Sequence, residues 1–234
     1  MKRMRKRISA SWMATVALAL AFSLSYPHVS YAERFADIIL GGSLSMDETI
    51  TISAAPQAKA TARVNFGRSF IIGYRLGGWS EKHRWAGFAL DASLFQQSID
   101  GGDIEIIPLS ALLMLRLPLL KSDAHPAGEL WPYIGLGPSI FFSTINYNVR
   151  DSAIPALLHQ PISGTYSDRA ADIGLDLRAG IAKMLPHYPP LAVFGEYRYS
   201  QFKPDFEEDV LGTEVKIATK LTTHHLLVGF TYRF

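Results

Sequence analysis

The stretch LTTHHLLVGFTYRF, Leu221 to Phe234, decides the fold. Every second residue back from the end, namely Phe234, Tyr232, Phe230, Val228 and Leu226, is apolar or aromatic. The intervening file is Arg233, Thr231, Gly229, Leu227 and His225. Successive side chains of a strand point to opposite faces, so this segment has one oily face and one smaller, more polar face. A soluble protein rarely finishes its most apolar strand on its terminal carboxylate. A transmembrane barrel does so when its last strand closes against its first and stops at the membrane–water interface.

The same two-residue rhythm recurs upstream. Strands are expected over Phe35–Met46, Arg68–Gly78, Trp85–Gln97, Ile104–Leu119, Trp131–Thr144, Ala171–Leu185 and Leu191–Phe202, with Leu221–Phe234 the eighth. The rhythm is clearest in Ala171–Leu185, where Ile173, Leu175, Leu177, Ala179 and Ile181 alternate with Asp172, Gly174, Asp176, Arg178 and Gly180. At 11–16 residues these runs suit the ~9–11 that a tilted strand needs to cross hydrocarbon, and exceed the ~5–6 usual in soluble sheets. Connections after the odd strands are long or polar, and those after the even strands are short. That is the pattern of an all-β, eight-stranded, antiparallel up-and-down transmembrane β-barrel. The long connections include Asp47–Gly67, in which Thr49–Ser53 alternates, the 145–170 stretch and the charged Lys203–Lys220. Pro186–Pro190 is expected to be a tight turn. Phe35, Trp79, Trp85, Trp131, Tyr133, Tyr188, Tyr232 and Phe234 all fall at the end that carries both termini, where an aromatic girdle is expected at the membrane surface.

The chain opens like a secretory leader. Lys2, Arg3, Arg5, Lys6 and Arg7 precede an apolar stretch over Trp12–Tyr26, and Ser30 and Ala32 are small residues placed for cleavage before Glu33. The stretch is shorter than the ~20 residues of a spanning helix. Residues 1–32 are therefore expected to be a cleaved signal peptide and 33–234 a single barrel domain. Without the leader, 18 basic residues face 21 acidic ones, a net of −3, and nothing points to nucleic acid. There is no cysteine, so an exported fold must hold without disulfides.

Parity sends charge inward: Asp37, Asp91, Asp172, Asp176 and Glu196 against Arg75, Arg116, Arg178, Arg198 and Arg233. Five acids meet five arginines, whose forked guanidinium suits bidentate pairing with carboxylates. The interior of an eight-stranded barrel is just wide enough for side chains to fill. The expectation is a plugged, salt-bridged lumen with a structural role and no open pore. His224 and His225 point to opposite faces and cannot share a metal ion, and no metal or cofactor site is expected. Ser200, His225 and Glu196 share inward parity on neighbouring strands, which makes a hydrolytic triad a candidate; Glu196 and Arg198 read better as a salt-bridge rung.

The segments WPYIGLGPSIFFS (131–143), ADIGLDLRAGIAKML (171–185), LAVFGEYRYSQF (191–202) and THHLLVGFTYRF (223–234) resemble the second half of small eight-stranded outer-membrane proteins, the opacity-type and OmpA- and OmpX-like group. The resemblance implies export through the general secretory pathway to the outer membrane of a Gram-negative bacterium, as a monomer. It further implies lipid and lipopolysaccharide as surroundings, and a role in envelope integrity or adhesion. It implies that Phe230, Tyr232 and Phe234 are the C-terminal signal read by the outer-membrane assembly machinery. It supplies no catalytic residues, and non-enzymatic function is expected. The apolar patch at Ile154, Ala156, Leu157 and Leu158 makes the 145–170 connection a candidate contact for a surface ligand. The competing readings are a lipid A-modifying enzyme and a soluble lipocalin-like carrier.

Overall fold

A computed structural model describes residues 31–45, 48–54, 58–64, 69–99, 102–121, 128–148, 165–210, 213–219 and 221–234. Its strands are β1 (Tyr31–Ser45), β2 (Glu48–Ala54), β3 (Ala58–Val64), β4 (Ser69–Ser80), β5 (Ala86–Ile99), β6 (Gly102–Arg116), β7 (Leu130–Asn148), β8 (Thr165–Leu185), β9 (Tyr188–Phe202), β10 (Asp205–Val210), β11 (Thr213–Thr219) and β12 (Leu221–Arg233). Eight of them close a barrel in the order β1-β12-β9-β8-β7-β6-β5-β4, every pair antiparallel. The first and last strands meet at the seam, with Phe35 opposite Arg233 and Ser45 opposite Thr223. Backbone bonds between Arg34 and Phe234, both at 3.0 Å, carry the seam to the terminal residue.

The two-residue rhythm decides which way each strand faces. Phe230 and Tyr232 are 57% and 52% exposed, while Leu227 and Thr231 on the same strand are buried. Leu175 and Leu177 face outward, and Asp176 and Arg198 are fully buried. A soluble carrier of lipocalin type would have these the other way round. On β12 the outward file runs without a charge from Leu226 to Phe234. At a tilted strand's rise that covers roughly 20–25 Å of membrane normal, the height of the lipid-facing band of an outer-membrane barrel.

The structure corrects several sequence boundaries. β7 continues to Asn148 and β8 begins at Thr165, so much of the expected 145–170 connection is barrel wall. The patch at 154–158 lies outside the described residues, as do residues 1–30 of the expected 1–32 leader. β9 begins at Tyr188, leaving Pro186 and His187 as the turn and putting Pro189 and Pro190 in the strand. The connections 47–67 and 203–220 are not plain loops. They form a second, four-stranded sheet in the order β10-β11-β2-β3. β2 follows β1 after two residues and pairs with β11, which precedes β12 by one. The β2–β11 pairing therefore continues the β1–β12 seam beyond the barrel, at the end distal to the termini.

Two prolines interrupt the ladder. Pro108 and Pro138 have no N–H to give. Pairing lapses beside each, between Ala92–Leu109 and Phe95–Ile106 and between Ser110–Ser139 and Leu113–Leu136, with the register kept on both sides. Next to the second lapse Gly137 is required by close approach: a Cβ there would strike the carbonyl of Ala111.

Candidate functional site

The interior is built in three layers. At the terminal end, Phe35 (β1), Trp79 (β4), Trp131 and Tyr133 (β7) and Phe194 (β9) are buried in the lumen. Phe35 stacks on Trp79 at 5.7 Å, and Tyr133 meets Phe194 edge-on at 6.5 Å. Four members of the expected membrane girdle are thus a plug. They share the inward parity of Asp37 and Arg75, which overrides their place at the strand ends. Trp85, Tyr188, Tyr232 and Phe234 do face outward. Arg116 stacks on Trp79 at 4.2 Å and Arg233 on Trp131 at 3.5 Å, a favourable use of the ring's negative face.

Both of those arginines converge on Glu33. Arg116 reaches it through two bonds of 3.0 Å, and Arg233 lies 3.1 Å from the same carboxylate. One carboxylate therefore ties the first strand to the last and across the lumen to β6. Glu33 is missing from the sequence-derived set, where it stands only as the first residue after cleavage. Its parity, that of Phe35 and Asp37, is the signal that could have found it.

The middle layer holds Asp37, Arg75, Asp91, Asp176, Arg178, Glu196 and Arg198, all buried. Asp91 is its hub. It accepts from Arg178 at 2.6 Å and from Arg198 at 3.2 Å, and Arg75 lies 3.4 Å away. Arg178 and Arg198 sit directly opposite each other on β8 and β9, an arrangement that repels unless an anion intervenes. Arg178 also donates to Asp176 at 2.9 Å, and Arg75 donates to Glu196 at 2.6 Å and lies 3.4 Å from Asp37. Hydroxyls complete the set: Tyr133 donates to Glu196 at 2.9 Å, Ser93 accepts from Arg198 at 2.6 Å, and Ser110 and Ser200 both donate to Asp176. Four carboxylates meet three guanidiniums here, and two guanidiniums meet one carboxylate at the terminal end. The charges balance only when both layers are counted, with Glu33 in the place assigned to Asp172. Asp172 lies apart, half-buried on the distal part of β8.

The distal layer is mainly apolar, with Ser43, Gln97, Ser143, Thr223 and His225 buried among hydrocarbon. Ile71, Phe95, Ile104, Ile106, Phe141, Phe202 and Leu221 are buried there, and Phe141 stacks face to face on Phe202 at 4.0 Å. The alternation along 104–119 is blurred for this reason, since inward positions on β6 also carry Ile104, Ile106, Leu112 and Met114. The ionic slab thus lies between two layers dominated by aromatic and aliphatic side chains. The void described within the lumen, lined by Asp37, Arg75, Trp131 and Arg233 among others, amounts to about 40 Å³.

No triad is assembled among the described residues. Ser200 spends its proton on Asp176, His225 faces Thr223 Oγ1 at 3.1 Å and Phe95 at 4.7 Å, and Glu196 is held by Arg75 and Tyr133. His224 points outward, as its parity requires, and contacts Tyr197 Oη at 2.5 Å and the Tyr199 ring at 5.3 Å. With Gln201, which donates to Tyr199 at 2.7 Å, these residues form a polar-aromatic border where the apolar file of β12 ends. Phe230, Tyr232 and Phe234, expected as an assembly signal, all lie on the outer face, with Tyr232 stacked on Phe234 at 6.1 Å.

No protein-family model and no characterised protein sequence matches the chain. Solved structures do. The outer membrane protein OprG from Pseudomonas aeruginosa superposes with a TM-score of 0.62 at 16% identity, over 87% of this chain and 97% of that one. Neisserial surface protein A superposes with a TM-score of 0.51 at 12% identity, over 86% and 97%. The chain has the fold of the eight-stranded β-barrels of Gram-negative outer membranes.

Proposed function

We propose that this protein is a closed structural barrel of the outer membrane that meets its surroundings through its distal sheet and loops, neither conducting solutes nor carrying out chemistry. The observation that supports this reading best is the filled lumen: an ionic slab, fully buried at Asp176 and Arg198, lies between two layers rich in large aromatic and aliphatic side chains. A pore would need a continuous hydrated path, and both faces of that slab are covered by aromatic rings. The outward apolar file supports a setting in lipid, and lipopolysaccharide is expected around the distal half. Loops that stand beyond such a wall are free to bind, and β2, β3, β10 and β11 add a four-stranded sheet to that end.

Single-channel recording in planar bilayers is the test. The expected trace is flat, without stable open-channel steps, and sustained steps would refute a sealed barrel. Deleting residues 153–162 is expected to leave heat-modifiable gel migration unchanged while lowering attachment of cells to surfaces. Lipid A mass spectra are expected to be the same with and without the protein; a deacylated or acylated product would replace this reading with an enzymatic one.

A further inference from the structure

Gly195, on the lipid-facing side of β9, is a glycine that the barrel itself does not need. A Cβ added there would meet nothing within 4 Å, in contrast to Gly137. Its backbone is not in the left-handed region, where Gly128 is the described glycine. A glycine inside a strand weakens it and commonly marks a place where something approaches the backbone closely. Around Gly195 the outer wall is concave. Ile181 stands across from it on β8, Val228 on β12 and Leu40 one strand further on β1. Val193 and Phe230 close the terminal side. The notch measures about 490 Å³ and its walls are hydrocarbon save one residue. That volume is within the ~300–1,000 Å³ typical of small-molecule clefts.

The exception is Lys183. It lies on β8 two residues nearer the terminal end than Ile181, opposite Val193, and is exposed. The notch therefore has a cation at the level of the membrane surface and an apolar trough running from it toward the mid-plane. We infer that the notch at Gly195 seats one acyl chain of a phospholipid from the leaflet facing the chain termini, with the lipid phosphate held by Lys183. A long lysine side chain reaches such a phosphate by extending along the wall. Two copies of the chain meeting face to face here would set Lys183 against Lys183, so charge favours the lipid over a second protomer.

The test is native mass spectrometry of the folded barrel, delipidated in a nonionic detergent and offered dipalmitoylphosphatidylglycerol or dipalmitoylglycerol, which share tails and differ in the phosphate headgroup. The wild-type protein is expected to retain one phosphatidylglycerol, about fivefold more readily than the uncharged lipid, as one lysine near a membrane surface allows. Gly195→Leu fills the notch and is expected to lose retention of both lipids. Lys183→Gln is expected to abolish the preference while still holding tails. Heat-modifiable migration verifies that each variant is folded. Equal phosphatidylglycerol retention by wild type and Gly195→Leu overturns the inference, as does the absence of bound lipid on the wild type. So does a dimer that Gly195→Leu dissolves, which would assign the notch to a second copy.

Discussion

Asp91→Ala is expected to lower the stability of the barrel by about 3–5 kcal/mol, the usual cost of leaving buried charges without their partner. Three guanidiniums lie within 3.4 Å of this one carboxylate. Two of them, Arg178 and Arg198, face each other across adjacent strands. Asp176 stays on Arg178 at 2.9 Å and Glu196 on Arg75 at 2.6 Å, so the carboxylate that stood between Arg178 and Arg198 is not replaced. Arg178 and Arg198 are both buried, so bulk water does not screen the uncovered pair. Asp91→Asn separates the causes: it keeps the volume and removes the charge, and is expected to lose most of the same stability. The measurement is the temperature at which the compact, detergent-resistant form converts to the slow-migrating unfolded form. If Asp91→Asn converts at the wild-type temperature, side-chain packing rather than ion pairing holds the centre.

The slab at the centre was largely legible in the sequence because the strand rhythm has only two outcomes. Once Phe230 and Tyr232 face lipid, Thr231 and Arg233 must face inward, and the pairing of each strand with the next carries that choice around the wall. What parity cannot supply is depth. Trp131 and Tyr133 share a file with Ser139 and Phe141, and nothing local says that the first pair plugs one end, that Ser139 bonds Ser110 and that Phe141 caps the other end. Depth follows from the stagger of eight strands, a property of the closed barrel. The same gap explains Glu33 and Asp172. Both have inward parity, yet one meets two arginines at a strand end and the other lies beyond the ionic layer. The outer sheet was half visible: Thr49–Ser53 alternates, but its partner strand Thr213–Thr219 lies far away in the chain, and pairing at that distance leaves no local mark. Gly195 reads in the sequence only as one small member of an outward file, since a missing side chain tells nothing of the space it leaves.

Reversing the charge at the seam is the second large effect. Glu33→Lys removes the carboxylate that Arg116 and Arg233 share and sets a third cation beside them. The expected loss is again about 3–5 kcal/mol, and its location is specific. β1 and β12 stand at opposite ends of the chain and must still pair to close the barrel. At their terminal end the pairing rests on the Arg34–Phe234 backbone bonds and on Glu33 reaching Arg233. With that reach turned to repulsion, the seam opens from its end. Amide hydrogen exchange is expected to quicken first at 35–39 and 228–233, while amides of β7 and β8, the longest paired strands, stay protected. Refolding residues 33–234 into detergent keeps the expected leader out of the comparison. Arg233→Glu added to Glu33→Lys restores an opposite pair across the seam and is expected to recover part of the lost protection at 228–233. The contact with Arg116 is not recovered, because the introduced ammonium repels that guanidinium. Uniform loss of protection around the whole barrel would show that the Glu33 cluster supports the fold globally and does not act as a latch on the seam.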